Sequence, residues 1–381
     1  MSDREFDDAA GPPGPPQIGA APGPDPAGAT PPTAFLSLYS EKRPGRGEDA
    51  EALAGPVGDG ACVVGVFDGL GGSGAALVET AQGQRTAAYL AARLARRIVL
   101  EAVGEFAGQP PGPGRRQAGR GDGGEWLRDR LADRLRAGFR ARQEELGASA
   151  GGVRSSLIRP LPTTLAVGVV RPTGSAQLEL DVFWAGDSRV YLLEPDAGLR
   201  QLTVDDLRSG GDAMRNLVED SRMSNLVSAD GRFQIHLARV ALTQPAVVIA
   251  ATDGCFGYVR TPAQFEDLLL TSMLDAAAKG SWEVWAELLR DRIVEIAGDD
   301  ATMGIACLGW GALPDMAADF AARHARIAGF LGRLDRARAE VERTRSAAEA
   351  AKTALDEVSW QLWDEYRGSY EALLPPTEGG G

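Results

Sequence analysis

Short apolar runs rich in β-branched residues recur along the chain between more polar stretches, a pattern typical of buried strands. Seven such runs predict strands at residues 34–40, 61–68, 163–170, 178–186, 189–194, 247–252 and 301–310. Apolar positions recur with helical spacing elsewhere and predict helices at residues 74–106, 125–147, 262–276 and 281–297. Because strands come in blocks with pairs of helices between them, we expect an α+β fold with sheets inside and helices outside.

The last part of the chain has a different pattern, in which apolar or small residues return every seven positions. One series is Ile327, Leu334, Val341, Ala348, Leu355 and Leu362, and a second is Phe330, Ala337, Thr344, Ala351 and Val358. These heptads predict a helix of about 50 residues, roughly 75 Å long. We favour a coiled-coil or helical-hairpin arm that pairs with another chain, folds back or lies on the preceding domain. A plain exposed helix is the alternative.

Two stretches of low-complexity sequence interrupt these patterns. Residues 1–33 are rich in Pro, Gly and Ala, cannot bury enough apolar surface to offset the entropy of ordering, and are predicted to be disordered. Residues 108–124 separate two helical patterns and predict a long surface loop rather than a domain boundary. We therefore divide the chain into a leader, 1–33, a folded domain, 34–311, and a helical arm, 312–381.

Composition and charge narrow the class of protein. A formal net charge of −13 argues against a nucleic-acid partner. Arginine greatly outnumbers lysine, which together with the abundant alanine and glycine indicates a GC-rich, bacterial genome. No apolar stretch is long enough to span a membrane and the N-terminus lacks a signal-peptide core, so we expect a cytoplasmic protein. The three cysteines are too sparse for a disulfide framework and lack metal-ligand spacing.

Acidic residues stand at the ends of the predicted strands. They are Glu48 and Asp49 in GED, Asp68 in VFDGLGG, Asp187 in WAGDSR, Asp253 in ATDG, and Asp299 with Asp300 in DDAT. A single Asp-Gly pair after a strand is usually a turn, but several on neighbouring strands would bring their carboxylates together. Clustered carboxylates repel one another unless a cation lies among them.

The residue types in these motifs point to a particular kind of metal. Hard cations such as Mg²⁺ and Mn²⁺ prefer oxygen ligands, whereas zinc sites in proteins usually include His or Cys. The only histidines, His236 and His324, fall outside the acidic motifs. The sequence therefore predicts an all-oxygen metal site.

The ordered series GED, VFDGLGG, TTLAVGVV, FWAGDSRVYLL, LTVDD, VVIAATDG and DDAT resembles the type 2C, or PPM, family of metal-dependent protein phosphatases over about residues 34–311. The resemblance implies a four-layer α-β-β-α sandwich of two antiparallel sheets flanked by helices. It also implies roles for the matching residues. Asp68 would bridge two metal ions, and Asp253 and Asp299 would bind the first of them. The Gly69 carbonyl would complete the site of the second ion, and Glu48 and Asp49 would hold water molecules bound to it. Asp187 would help bind a third, weaker ion.

The activity that this resemblance implies is hydrolysis of phosphoserine and phosphothreonine in proteins. Two Mn²⁺ or Mg²⁺ ions would lower the pKa of a bridging water, and the resulting hydroxide would attack phosphorus. The expected partner is a phosphorylated protein, the product of a serine/threonine kinase, with no nucleic acid and no membrane. The alternative is a catalytically weakened phosphoprotein-binding or assembly module that uses the phosphatase fold and the helical arm.

The chain departs from the family pattern at the groups that touch substrate. Leu70 stands where many eukaryotic members have a histidine thought to protonate the leaving group, which leaves the general acid unnamed. Pro44 occupies the position of the arginine that grips phosphate. A one-residue shift would allow Arg43 to take that role; Arg46, or neither residue, is the alternative.

A second departure lies in the segment that shapes substrate access in the family. This flap corresponds to residues 205–241, and Asp206 replaces the usual histidine after LTxD. Because loops of this kind carry specificity, we expect substrate preference to differ from that of other members.

Overall fold

The computed structural model describes most of the chain between Thr33 and Leu374. The described ranges are residues 33–80, 83–108, 122–149, 160–173, 177–208, 212–217 and 222–374. Except for Thr33, the predicted leader lies outside them, and so does most of the predicted loop at 108–124.

Two five-stranded antiparallel sheets form the centre of the fold. The first contains, in spatial order, β1 (Thr33–Ser40), β12 (Ala301–Leu308), β11 (Ala246–Ala251), β8 (Arg189–Glu194) and β9 (Gly198–Gln201). The second contains β10 (His236–Thr243), β7 (Gln177–Ala185), β6 (Leu165–Pro172), β3 (Ala61–Phe67) and β2 (Ala50–Gly58). All seven predicted strands are confirmed. The additional strands β2, β9 and β10 lack a continuous apolar run because each is partly exposed.

Branched apolar side chains pack between the two sheets. Val64 and Val66 of β3 and Val182 of β7 belong to the same buried cluster as Val190 of β8 and Val248 of β11. Side chains two residues apart on a strand share a face, so each sheet can present these residues to the other sheet while its opposite face packs on helices.

Helices cover the outer faces of both sheets, which confirms the four-layer sandwich. Helices α2 (Ala87–Gly108) and α3 (Asp122–Ser149) share a core with the second sheet, and α5 (Pro262–Ala277) packs with α6 (Trp282–Ile296), which contacts β1 of the first. The short helices α1 (Gly71–Gly74) and α4 (Asp253–Phe256) and the long α7 (Leu313–Tyr370) complete the described helices of more than three residues. None of the described helices combines the length and apolar composition needed to cross a membrane.

The helix predicted from residue 74 begins later than its apolar pattern indicates. Strands β4 (Leu77–Thr80) and β5 (Gly83–Thr86) pair antiparallel, and α2 starts at Ala87. Gly83 has a φ of +96°, which a side chain would disfavour, and the Thr80 hydroxyl donates a hydrogen bond to its carbonyl. This pair of strands therefore interrupts the predicted helix.

The long helix α7 is continuous, so the chain does not fold back as a hairpin within it. Its contacts divide it between two compact units at Ala325 and Arg326. In the first unit, Leu313, Met316 and Phe320 are fully buried, and Arg323 donates two hydrogen bonds to Glu266 at 2.6 and 2.8 Å. The first turns of α7 are therefore part of the folded domain.

The described part of the second unit is an exposed helix. Charged side chains pair along it, as in Arg345–Glu349 and Arg367–Glu371 at spacings of four residues. Such exposed pairs contribute little each, about 0.3–0.5 kcal/mol. The helix leaves Val341 69% and Leu355 65% exposed, which are large fractions for apolar side chains.

We predict that Phe320→Ala destabilises the protein by about 3–5 kcal/mol, because it removes a fully buried ring and leaves a cavity. The matched variant Trp360→Ala, on the same helix but 67% exposed and outside both heptad series, should change the free energy of unfolding by less than about 1 kcal/mol. Urea unfolding followed by circular dichroism measures both. Equal effects would contradict the assignment of the first turns of α7 to the domain core.

Candidate metal centre

Carboxyl groups from both sheets converge at one edge of the sandwich. Asp68 follows β3, Asp187 lies in the turn between β7 and β8, and Asp253 follows β11. The Asp68 carboxyl is within hydrogen-bonding reach of those of Asp49 and Asp253, and it interacts electrostatically with Asp187. Four predicted site residues therefore lie together, as the strand-end argument requires.

The pKa values of these acids are raised, chiefly by burial. Burial, with a smaller contribution from Asp300 and Asp253, raises the pKa of Asp49 to about 7. Burial and then the charge of Asp253 raise the pKa of Asp187 to about 8. The same cause raises the pKa of Asp253 and places that of Asp68 well above its usual value. The edge is therefore a place where negative charge is costly without a compensating cation.

Asp49 also joins the two sheets. Its Oδ2 accepts hydrogen bonds from the Thr302 hydroxyl at 2.7 Å and the Thr252 hydroxyl at 3.0 Å, and the side chain is almost fully buried. Asp49 lies at the start of β2 in one sheet, whereas Thr252 and Thr302 belong to the ends of β11 and β12 in the other. These two hydroxyls fix the position of the carboxylate.

The turn that carries Asp187 is held by Asp206 of the LTVDD motif and by two residues outside the motifs, Asn225 and His236. Oδ1 of Asp187 is buried and has no hydrogen-bond partner among the described residues. The preceding Gly186 has a φ of +107° and donates its N–H to Asp206 Oδ2 at 3.0 Å. Asp206 in turn contacts His236 Nε2 at 2.9 Å and accepts a hydrogen bond from Asn225 at 2.7 Å. His236 thus belongs to the support of this site, although no sequence spacing indicated it.

A second network ties the flap to the same region. Arg189 donates two hydrogen bonds to Asp205, at 2.9 and 2.7 Å, in a buried ion pair. Asn216 donates to the same carboxylate at 2.9 Å, and the Arg189 guanidinium lies 4.3 Å from the centre of the Phe256 ring. A buried ion pair holds its two side chains in a defined position when it is bidentate and makes additional hydrogen bonds, as Arg189 and Asp205 do.

Glycines allow Glu48 to approach the Asp68 loop. A Cβ at Gly69 would lie 2.6 Å from the Glu48 carbonyl oxygen and 2.8 Å from that of Ala88. A Cβ at Gly71 would overlap the Glu48 carboxylate. Burial raises the pKa of Glu48, and a hydrogen bond from Thr86 opposes this shift. Gly69 and Gly71 of DGLGG are therefore needed for this close packing.

The two neighbouring acids of DDAT have different surroundings. Asp300 accepts hydrogen bonds from the backbone N–H of Lys42 at 2.8 Å and of Glu48 at 2.6 Å, so it anchors the loop that precedes β2. The exposed Asp299 accepts one from the Asp300 N–H at 2.9 Å and interacts electrostatically with Asp253. Asp299 thus has fewer internal hydrogen bonds than Asp300.

The two arginines considered for phosphate binding both lie at the surface. Arg43 and Arg46 are exposed and belong to one turn, closed by a 2.9 Å hydrogen bond from the Arg46 N–H to the Arg43 carbonyl. Two other arginines donate hydrogen bonds to backbone carbonyls of the same loop. Arg85 donates to the Gly45 carbonyl at 2.9 Å, and Arg93 donates to the Glu48 carbonyl at 3.4 Å. The sequence motifs gave no indication of these two supports.

The donor set fits a hard divalent cation. Its side-chain donors are carboxylate oxygens, several are buried, and the buried Asp187 oxygen lacks a partner. In their present positions, however, no three acidic, His or Cys side chains in the described ranges form a group that could hold a metal ion. The Asp68 carboxyl instead lies within hydrogen-bonding reach of Asp49 and Asp253, so protons and a cation would compete for the same oxygens.

Comparison with solved structures agrees with the architecture. A bacterial serine phosphatase carrying a point mutation matches with a TM-score of 0.51 and 15% identity, over 72% of this chain and 97% of its own. The serine/threonine phosphatase Stp1 from Staphylococcus aureus matches with a TM-score of 0.51 and 16% identity, over 74% and 96%. No family model and no curated protein matches the sequence. The chain therefore shares the fold of bacterial serine/threonine phosphatases.

The raised pKa values predict how the stability of the metal-free protein depends on pH. The folded state retains protons on Asp49 and Asp187 at pH values where the unfolded chain has lost them. The free energy of unfolding should therefore fall as the pH rises from about 4 to about 8. Thermal unfolding with excess chelator measures this trend.

Asp187→Asn is the matched variant, because the amide keeps the shape of the side chain but does not ionise. We expect a flatter pH profile and a higher melting temperature than the unmodified protein at about pH 8. A melting temperature that rises with pH over this interval, or an unchanged profile in the variant, would contradict the raised pKa of Asp187.

Proposed function

We propose that this protein hydrolyses phosphoserine and phosphothreonine in proteins by means of a metal-activated water. The observation that carries the proposal is the convergence of buried, mutually repelling carboxyls from two sheets at one edge of the sandwich. The fold shared with bacterial serine/threonine phosphatases supports it. Such a cluster suits a site for divalent cations, which can in turn bind a phosphate group.

The proposed metal ligands are the residues named from the motifs. Asp68, Asp253 and Asp299 would bind directly, Asp187 would serve a third, weaker ion, and Glu48, Asp49 and the Gly69 carbonyl would complete the second site. Two Mn²⁺ or Mg²⁺ ions, when bound, would lower the pKa of a water molecule and neutralise phosphate charge.

The remaining roles belong to side chains around this cluster. Asp300 positions the loop before β2, and the network of Asp206 and His236 positions the Asp187 turn. Arg43, exposed on that loop, is the proposed contact to the phosphate, because a guanidinium binds two phosphate oxygens at once. The substrate would be a protein phosphorylated by a serine/threonine kinase in the bacterial cytoplasm.

The main prediction concerns metal-dependent turnover. With Mn²⁺, the protein should release phosphate from a phosphothreonine peptide and from p-nitrophenyl phosphate, and chelator should abolish both activities. Asp68→Asn and Asp253→Asn should each lower kcat/KM at least about 100-fold, because each removes a charged metal ligand. Asp59→Asn, an equal change at an exposed turn far from these motifs, should leave both rates unchanged.

The same measurements test the alternative function. In their present positions no three acidic side chains of the described ranges form a metal-binding group, which favours a phosphoprotein-binding module as the second candidate. Absence of manganese-dependent turnover, together with retained binding of the phosphopeptide, would support that module. Undiminished turnover in Asp253→Asn would contradict the proposed metal ligands.

We also propose that the arm binds the arm of a second copy of this chain. Apolar residues at heptad positions, among them Val341, Leu355 and Leu362, are exposed along α7. Residues 326–345 contain six arginines and three acids, whereas residues 346–374 contain six acids and two basic residues. Antiparallel pairing would place each basic half against an acidic half, which is favourable electrostatic complementarity.

Light scattering after size-exclusion chromatography should give the mass of a dimer for the full chain. Val341→Glu with Leu355→Glu should give a monomer, because charges at heptad core positions oppose pairing. Ser346→Glu with Thr353→Glu adds the same charge on the opposite face and should remain dimeric.

Orientation can be tested by cross-linking. Arg338→Cys in one copy and Lys352→Cys in the other should form a disulfide, since parallel helices would separate them by about 21 Å. A monomeric full chain would contradict the pairing itself.

A further inference from the structure

A tyrosine lies beside the carboxyl cluster and has no role in the network described above. Tyr258 is in the turn that follows α4, five residues after Asp253, and is 47% exposed. The side chains of Phe256 and Val259, on either side in sequence, are buried, and Val259 N–H donates to the Phe256 carbonyl at 3.3 Å. The turn is therefore anchored while the phenol ring remains accessible.

The ring of Tyr258 lies against Gly298, the residue before Asp299. A Cβ at Gly298 would lie 2.7 Å from Cζ of the tyrosine and 3.0 Å from its hydroxyl oxygen. Any larger residue at 298 would therefore displace the phenol. The absence of a side chain at this position lets the hydroxyl lie next to the loop that carries Asp299.

The hydroxyl of Tyr258 is placed to donate a hydrogen bond. It has no hydrogen-bond partner among the described residues. Burial, followed by the charges of Asp299, Asp253 and Asp68, raises the pKa of Tyr258. Those three acids are the proposed ligands of the first metal and the bridging site, so the phenol beside Gly298 lies within electrostatic range of the proposed metal ligands and stays neutral at physiological pH.

We propose that Tyr258 is a catalytic residue that donates a hydrogen bond to the leaving oxygen of the phosphorylated serine or threonine. This inference rests on the proposed phosphatase function and adds the group that touches the leaving side of the substrate. Leu70, at the family's histidine position, cannot donate such a hydrogen bond, and Tyr258 is an accessible donor beside the same acids.

The chemistry assigned to Tyr258 is stabilisation of negative charge. As the water oxygen forms its bond to phosphorus, the bond from phosphorus to the serine or threonine oxygen breaks, and charge develops on that oxygen. The Tyr258 hydroxyl donates to it and retains its own proton. One proton of the attacking water reaches the alcohol product through solvent, and the other stays on phosphate, so atoms and charge balance.

The experiment compares two substrates that differ in their leaving groups. Nitrophenolate is a stable anion and leaves without help, whereas the alkoxide of threonine needs stabilisation. Tyr258→Phe should therefore lower kcat for a phosphothreonine peptide about 10- to 100-fold, the effect of losing a hydrogen bond to a charged group. The kcat for p-nitrophenyl phosphate should change less than about threefold, and KM should stay unchanged for both.

Matched measurements distinguish this role from a structural one. Tyr366→Phe, the same change at an exposed tyrosine of the arm, should leave both rates unchanged. The Mn²⁺ concentration that gives half-maximal activity should be equal in Tyr258→Phe and the unmodified protein. Gly298→Ala, which displaces the phenol from its position, should reproduce the selective loss on the phosphopeptide.

Three outcomes would overturn the assignment. Equal losses on the two substrates would mean that Tyr258 acts on phosphate binding or structure, and unchanged rates on both would mean that it has no part in the reaction. An inactive unmodified protein would overturn the phosphatase function and the tyrosine's role together. Because that result is seen before any variant is compared, the two failures are distinguishable.

Discussion

The burial of several carboxyl groups beside one another is the physical constraint on which the rest of this structure depends. Asp49, Asp68, Asp187 and Asp253 each lose hydration at the shared edge of two sheets, and the charge of Asp253 adds to the cost of ionising the other three. A folded chain tolerates such a cluster only if protons or cations balance it. Burying these acids together lowers the free energy of unfolding of the metal-free protein. This cost indicates that the cluster has a functional rather than a structural role.

The surrounding structure holds those acids in place through neutral donors and distant ion pairs. Two threonine hydroxyls fix Asp49, Asp300 fixes the loop before β2 through backbone N–H groups, and Asp206 fixes the Gly186 turn. None of these contacts adds a positive charge within the cluster. The supports therefore restrict geometry, and the charge of Arg189 only partly offsets the raised pKa values of Asp187 and Asp253, so the cluster still favours a cation.

The C-terminal helix shows how one element can have two kinds of environment. Up to Ala325 its buried face, with Phe320, completes the hydrophobic core of the domain. Beyond Arg326 the same helix has a heptad pattern but leaves its large apolar residues exposed. Apolar periodicity shows which face of a helix is suited to burial. The same pattern results whether that face packs on the domain or on another chain.

Local patterns along the chain were enough to predict several features of this protein. Short apolar runs such as residues 247–252 predicted strands, and the acids at their ends predicted that Asp68 and Asp253 lie near each other. The sandwich of two sheets followed from the resemblance of the ordered motifs to a known family. Contacts between residues distant in sequence depend on how the whole chain folds. His236 with Asp206, Asp300 with the loop before β2, and Tyr258 with Gly298 are contacts between segments far apart in sequence, and single-chain periodicity contains no information about such pairs.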